Sequence, residues 1–455
     1  MASTYLTRTP GTGVTSRYKG TLSVWLKRAK TDEEDFIFNG FESSSNQIKI
    51  TFKSNAQLQI NTVQAGSNRL VYETNRLFRD TNAWYHIVVA IDTTLATAGD
   101  RCRLYVNGVE ETSFSTETHI AQNSLSFLTE DSQPIYIGAQ QGSANYFDGS
   151  MSHFHLIDGQ QYAPTVFGET DATTGEWKIK TNVTATYGNH GFFILKDGNS
   201  ITDQSGEGNN LTVGAGTLTK TEDNPSNVFA TFNPLSGAHT MAVNSTFTNG
   251  NNRVVCGGTV YNPFPSTIGV NSGKYYAEFK LNSAAADAMI GVFAKYGASG
   301  NYLGSQTQQY SWYVTSGGNI KSNSATVTGA ASVGTYTTND IIGIALDCDN
   351  NKLYFHKNGT YITFGGYTQN PSSGQYGISI TDPDSTDLGF YFMTAMDWGG
   401  STRAIWQANF GNGYFGTTAV ATNSGNGYAG AEGSSIFNYQ PPTGYSALST
   451  KGLNL

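Results

Sequence analysis

Hydrophobic and polar residues alternate with period two along most of the chain, in short runs closed by clusters of Gly, Asn, Asp and Ser. The runs at 47–52, 57–62, 85–91, 103–106 and 135–138 show the pattern best, and it predicts short strands joined by turns. No long run carries helical periodicity with caps; the alanine-rich stretch 283–289 comes nearest and is too short. The expected class is all-β.

One local pattern occurs twice. The apolar run 84–92, ending at Asp92, is followed after a polar loop by Leu104-Tyr105-Val106-Asn107-Gly108. The run 340–347, ending at Asp347, is followed after the turn 348–351 by Leu353-Tyr354-Phe355-His356-Lys357-Asn358-Gly359. Asn-Gly supplies the positive φ of a tight hairpin, so each segment predicts three consecutive antiparallel strands, and the chain reads as two sandwiches of related plan. Their boundary is expected in the polar, proline-bearing stretch 214–234, leaving domains at 1–213 and 235–455. Just before it, the acceptors and glycines of 203–210 could serve a calcium or ligand loop, but tight turns select the same residues and a solvated turn is preferred.

Composition narrows this picture. With charged residues at 13% and 52 glycines in 455 residues, neither a coiled coil nor a charge-rich disordered chain is expected. The 26 basic and 34 acidic residues give a net charge of -8, scattered rather than clustered, so no nucleic acid is expected as a partner. No apolar stretch is long enough to insert in a membrane, and the first residues lack the apolar core of a secretory signal, which predicts a protein made in a cytosol. Cys102, Cys256 and Cys348 have no metal-ligand or disulfide spacing and read as small buried hydrophobes.

The motifs also carry resemblances. Thr21-Leu22-Ser23-Val24-Trp25-Leu26-Lys27, Trp84-Tyr85-His86, Leu104-Tyr105-Val106-Asn107-Gly108, Ile135-Tyr136-Ile137-Gly138 and Phe147-Asp148-Gly149-Ser150-Met151 resemble, in that order, a laminin-G or concanavalin A-like lectin domain. Gly273-Lys274-Tyr275-Tyr276-Ala277-Glu278-Phe279, Ile290-Gly291-Val292-Phe293, the 340–359 hairpin and Ala408-Asn409-Phe410-Gly411 resemble a SPRY domain. The tryptophan common in that family near Tyr276 or Ala277 is missing, and a Gly- and Ala-rich insertion separates the closing strand from Phe437. The implied fold is two tandem concanavalin A-like antiparallel β-sandwiches of jelly-roll type. Tyr5-Leu6-Thr7-Arg8-Thr9-Pro10, Leu156-Ile157-Asp158-Gly159-Gln160, Phe167-Gly168-Glu169, Pro225-Ser226-Asn227 and the ending 441–448 further resemble virion proteins of tailed bacteriophages of marine bacteria and cyanobacteria. That resemblance implies a tail-fibre or capsid-appendage component of the virion. Its expected partners are other virion proteins, copies of itself in a homo-oligomer, and a host cell-surface polysaccharide.

The chemistry of the chain points to binding rather than catalysis. Glucanases of this sandwich use Glu-x-Asp-x-x-Glu, which period two places on one face. The nearest matches, Glu33-Glu34-Asp35 and Glu169-Thr170-Asp171, lack the second carboxylate, and no nucleophile elbow, phosphate loop or zinc motif is present. His153 and His155 should share one face of a strand, with no third metal ligand in sight. Aromatic residues are abundant, with 26 Tyr, 25 Phe and 6 Trp, and tyrosine in a surface loop suits sugars and protein partners alike. The candidate ligand-binding residues are therefore Tyr146, Phe147, Asp148, Tyr302, Tyr310, Trp312 and Tyr361. Calcium is the one cofactor considered, with Asn107, Asp131 and Asp148 as candidate ligands. Two rival readings stand beside glycan binding: a capsid-decorating packing module and a polysaccharide depolymerase.

Overall fold

The computed structural model describes residues 3–196, 200–235, 245–257, 261–285, 287–296, 301–313, 318–329, 333–398, 402–420 and 427–454. The chain is all-β and divides into two compact units: unit 1 comprises 1–220 with 224–226, and unit 2 comprises 221–223 with 227–455. The division falls inside the stretch 214–234, whose two ends belong to the units themselves. Gly214 and Ala215 end the strand Thr212–Ala215, which pairs with Tyr5–Arg8, while Phe229, Ala230 and Phe232 are buried in unit 2.

Unit 1 is built on an eight-stranded and a six-stranded antiparallel sheet. The six-stranded sheet centres on Lys19–Arg28, flanked by Trp84–Asp92 and Gly149–Asp158. Its inward residues Leu22, Val24 and Leu26 share one core with Phe38, Ile48, Ile50, Leu58 and Ile60 of the other sheet. Unit 2 repeats the plan: Phe279, Ile342, Ile344, Phe355 and Trp406 from one sheet pack with Ile290, Val292, Trp312 and Ala395 from the other. Each such side chain contributes roughly 2 kcal/mol on burial, against about 0–1 kcal/mol for an exposed ion pair, so these cores rather than the surface charges hold the sandwiches.

The two repeated segments form the expected hairpins. Asn107 and Gly108 have φ of 49° and 80°, and Asn358 and Gly359 have 52° and 84°, the paired positive φ values that a two-residue turn between twisted strands requires. Trp84–Asp92, Cys102–Val106 and Val109–Glu110 follow one another in one sheet, as do Ile341–Asp347, Lys352–Lys357 and Thr360–Tyr361 in another. Around 283–289 the described residues close one strand and open the next, with no helix. Among the described residues no helix is long and apolar enough to cross a membrane. All three cysteines are buried and free.

Candidate functional site

In both units, period two sends alternate residues to the sheet face turned away from the core, and there a buried histidine organises a polar network. In unit 1, Ser23 and Trp25 alternate with core residues, and His86 lies stacked on Trp25 with ring centroids 4.7 Å apart. His86 Nε2 is 2.8 Å from Ser23 Oγ, and Trp177 Nε1 donates to His86 Nδ1 at 2.9 Å. The indole N–H can only donate, so neutral His86 holds its proton on Nε2 and donates it to Ser23. A serine nucleophile needs the reverse, with Nε2 accepting from the hydroxyl. Burial drives His86 down to about 3, and Ser23 is fully buried, so the pair is structural.

Trp177 arrives on the hairpin of Gly168–Thr170 and Trp177–Ile179, which covers this face. Room for the indole comes from Gly108 and Gly168, where a Cβ would fall 2.6 and 2.4 Å from it. Beside it, His155 Nδ1 and Tyr187 Oη are 2.8 Å apart, and the rings of His155 and His153 both lie against Phe193. Trp25 Nε1 has no hydrogen-bond partner among the described residues, but the other polar groups of this network bond one another.

Unit 2 carries the counterpart on Lys274–Ser283 and Lys352–Lys357. Gly359 N donates to His356 Nδ1, so Nε2 carries the proton and donates to Tyr276 Oη at 2.6 Å, and Tyr276 in turn donates to Glu278 Oε1 at 3.0 Å. Gly343 gives the imidazole its space, since a Cβ there would lie 1.9 Å from Nε2. Glu278 is fully buried and also accepts from Asn409 Nδ2 and from the backbone amides of Asn438 and Tyr439, at 3.1, 2.8 and 2.7 Å. Burial raises its carboxyl to about 7, against these hydrogen bonds.

Through those two amides Glu278 fixes the segment that runs on to 440–445. This segment, with 429–431, forms one wall of a cleft of about 670 Å3 whose other wall is 368–372 and Tyr361. The walls are joined where Thr443 N donates to Ser372 Oγ at 3.1 Å. None of the lining side chains is charged; they offer Tyr361, Tyr445, amides, hydroxyls and three prolines. Tyr361 Oη, Tyr445 Oη and Gln369 Nε2 are shielded from solvent and have no hydrogen-bond partner among the described residues, nor has Tyr354 Oη in the same aromatic cluster. Burial raises the hydroxyls of Tyr361 and Tyr445 above the ordinary tyrosine range, so they stay protonated donors.

Of the aromatics expected at a ligand, only Tyr361 lines this cleft. Trp312 and Tyr310 are not surface residues, and their reading as loop binders is corrected. They sit on the strand Gln309–Tyr313 with 1% and 8% exposure, Trp312 Nε1 donating to Gly334 O. Tyr302 packs half-buried on Tyr261 and Tyr313. In unit 1, Tyr146 bonds Gly142 O and leans on Tyr5, and Phe147 packs on the core. Asp148 lies 3.8 Å from Lys30, near the buried Arg28–Asp35 pair. Burial raises the carboxyls of Asp148 and of Asp35, the latter against the pull of Arg28.

The calcium candidates do not assemble. Asn107 Oδ1 accepts from His86 N, Asp131 Oδ1 from Val14 N, and Asp148 faces Lys30, so each is committed elsewhere. Among the described residues no group of three or more His, Cys, Asp or Glu could hold a metal, and these residues do not fit a calcium ion that takes six to eight oxygens. The loop 203–210 spends Asp203 on four groups within reach, the amides of Phe193, Ser205 and Asn209 and the Ser205 hydroxyl, and is a turn.

Sequence reasoning passed over Glu278 and, Tyr361 apart, the residues of both cleft walls. Signals were present: a carboxylate inside an apolar strand, and a chain that carries no charged side chain from Asn358 to Thr381.

Residues 2–166 match the family described as the concanavalin A-like lectin/glucanases superfamily, and residues 274–375 match the SPRY domain family. No curated protein sequence matches the chain. Among solved structures it is similar to the SPRY domain of human HERC1, at 16% identity and a TM-score of 0.26, covering 36% of this chain and 91% of that one. It is also similar to a heptameric SAP-like pentraxin from Limulus polyphemus, at 14% identity and a TM-score of 0.27, covering 43% and 96%. A third similar structure is domain 4 of an extracellular arabinanase from Geobacillus stearothermophilus in complex with arabinotriose, at 15% identity and a TM-score of 0.25, covering 34% and 66%.

Proposed function

We propose that this protein is a non-enzymatic virion component of a tailed bacteriophage that binds a neutral polysaccharide of the host surface through the cleft of unit 2. The observation that carries the binding reading is the cleft itself, about 670 Å3 lined by tyrosines, amides, hydroxyls and prolines with no charged side chain. Such a lining recognises a ligand that is polar but uncharged, because rings stack on its apolar faces while hydroxyls and amides meet its edges. A sugar polymer without uronate, sulfate or phosphate has that chemistry. The rings of Tyr361 and Tyr445 belong to this lining, while their hydroxyls are sealed from solvent behind it.

The lectin-like family match of unit 1 and the lack of any carboxylate in the cleft lining support binding over hydrolysis, since cleavage by two carboxylates needs both beside the sugar. The virion setting rests on the terminal and linking motifs of the sequence, and many copies on one particle would raise a weak single-site affinity.

Affinity electrophoresis of the full-length protein in gels containing laminarin, dextran or mannan, with alginate as the acidic control, tests this reading. At least one neutral polysaccharide is expected to retard the wild type without salt dependence, and Ala429→Trp, an exposed position on the wall, is expected to abolish the retardation by filling the cleft. Indifference of the wild type to all three neutral polymers, or full binding by Ala429→Trp, would overturn it.

A further inference from the structure

The loop that builds one cleft wall also carries a pair of stacked, exposed tyrosines. Tyr367 and Tyr376 are 60% and 42% exposed, with ring centroids 4.7 Å apart and planes inclined by 11°. Most large aromatics among the described residues of unit 2 are buried; these two cover one face of each other and still expose much of their surface. Tyr376 sits at φ of 59°, a left-handed conformation rare for a bulky side chain, and such strain persists only where the surroundings impose it.

The surroundings are tied by hydrogen bonds. Asn370 and Gln375 exchange two backbone hydrogen bonds at 3.0 Å, and Asn370 Oδ1 accepts from Ser373 N. On the other side, Gly365 and Gly366 turn the hairpin that presents Tyr367, with φ of 60° and 89°. The rings are therefore held ready before any ligand arrives, which spares the ordering cost that loose side chains would incur on binding.

We infer that Tyr367 and Tyr376 form a stacking platform for the sugar rings of a neutral polysaccharide, a second subsite beside the cleft. This rests on the reading of the cleft as a glycan site and extends it from the cleft to a longer polymer track. The faces of a pyranose ring present C–H groups that pack flat on a tyrosine, and the chain carries no charge from Asn358 to Thr381 to favour an ionic partner. A protein partner is disfavoured, because stable protein interfaces bury on the order of 1,200–2,000 Å2 and two tyrosine rings among glycines and small polar residues supply a small part of that.

The test uses the full-length protein with laminarin, dextran and mannan and with the matching trisaccharides, measured by affinity electrophoresis and calorimetry. Tyr367→Ala is expected to weaken binding of the retained polysaccharide about ten-fold while leaving the trisaccharide, held in the cleft, unchanged. Tyr376→Asn fits the positive φ, so its melting temperature should equal or exceed that of the wild type while polysaccharide binding falls similarly; a residue that only packed would lose stability instead. Polysaccharide binding within two-fold of wild type in both variants would overturn the platform and leave the cleft standing. Equal loss for polymer and trisaccharide would overturn it as a separate subsite. If Ala429→Trp binds polysaccharide that Tyr367→Ala has lost, the platform stands and the cleft reading falls; if the wild type binds no neutral polysaccharide, both fall.

Discussion

His86 in unit 1 and His356 in unit 2 occupy comparable places, each on the outer face of a sheet, buried, neutral, and flanked by aromatic rings. What covers them differs. Over His86 the Trp177 hairpin closes down, and the indole N–H takes the free ring nitrogen. Near His356 the chain returns as a C-terminal segment pinned by Glu278, and that segment stands off the 368–372 loop to leave a cleft. Polar groups under a closed cover bond one another and act as structure, whereas the rings, amides and hydroxyls on the walls of an open cleft are available to a ligand. A serine 2.8 Å from a histidine is thus the less informative of the two arrangements, because the direction of its hydrogen bond is wrong for catalysis.

The comparison can be broken most forcefully at Glu278. Glu278→Ala strips one acceptor from four buried donors and is expected to destabilise unit 2 by about 4 kcal/mol in chemical denaturation, and to weaken polysaccharide binding as the 440–445 wall loosens. The sign of its pH dependence follows from a carboxyl raised to about 7 in the folded state against 4.5 for the free group. Its contribution is fully present below about pH 4.5 and is lost as pH rises through about 7, so the stability difference between wild type and Glu278→Gln should shift against the wild type from pH 5 to 8. A pH-independent difference would show that the carboxyl is ionised throughout.

The next effect lies in unit 1. Trp177→Ala should cost about 3 kcal/mol by opening the cover over His86, yet leave glycan retention untouched. A loss of retention without unfolding would move the binding site to unit 1.

The smallest effect discriminates best. Tyr187→Phe removes a hydroxyl bonded to His155 and should cost about 1 kcal/mol, while Tyr361→Phe removes one without a partner and should leave melting unchanged or slightly raised. Equal losses in a thermal melt would erase the distinction between the two networks.

The hairpins were legible because their determinants are local: Asn-Gly at 107–108 and 358–359 fixes a turn whatever surrounds it. Trp312 and Tyr310 were misread for the opposite reason. Both project into the core of unit 2, while Ser311 and Tyr313 on the other face bond the Leu303 carbonyl, and alternation alone does not say which face of a strand the fold turns inward. The cleft was illegible because its walls lie 71 residues apart where Ser372 meets Thr443, and its anchor Glu278 lies 160 residues from Asn438. The absence of charge from 358 to 381 was visible in the sequence, but only the fold turns it into the lining of a cleft and the loop beside it.

The most direct test is the thermal shift of the Ala429→Trp variant, with and without a saturating amount of the neutral polysaccharide that the wild type retains most strongly. Melting within a degree or two of the wild-type temperature without polysaccharide, together with loss of the stabilisation that polysaccharide gives the wild type, is the predicted result. A variant that is stabilised by polysaccharide as fully as the wild type would contradict the assignment of the cleft to a ligand.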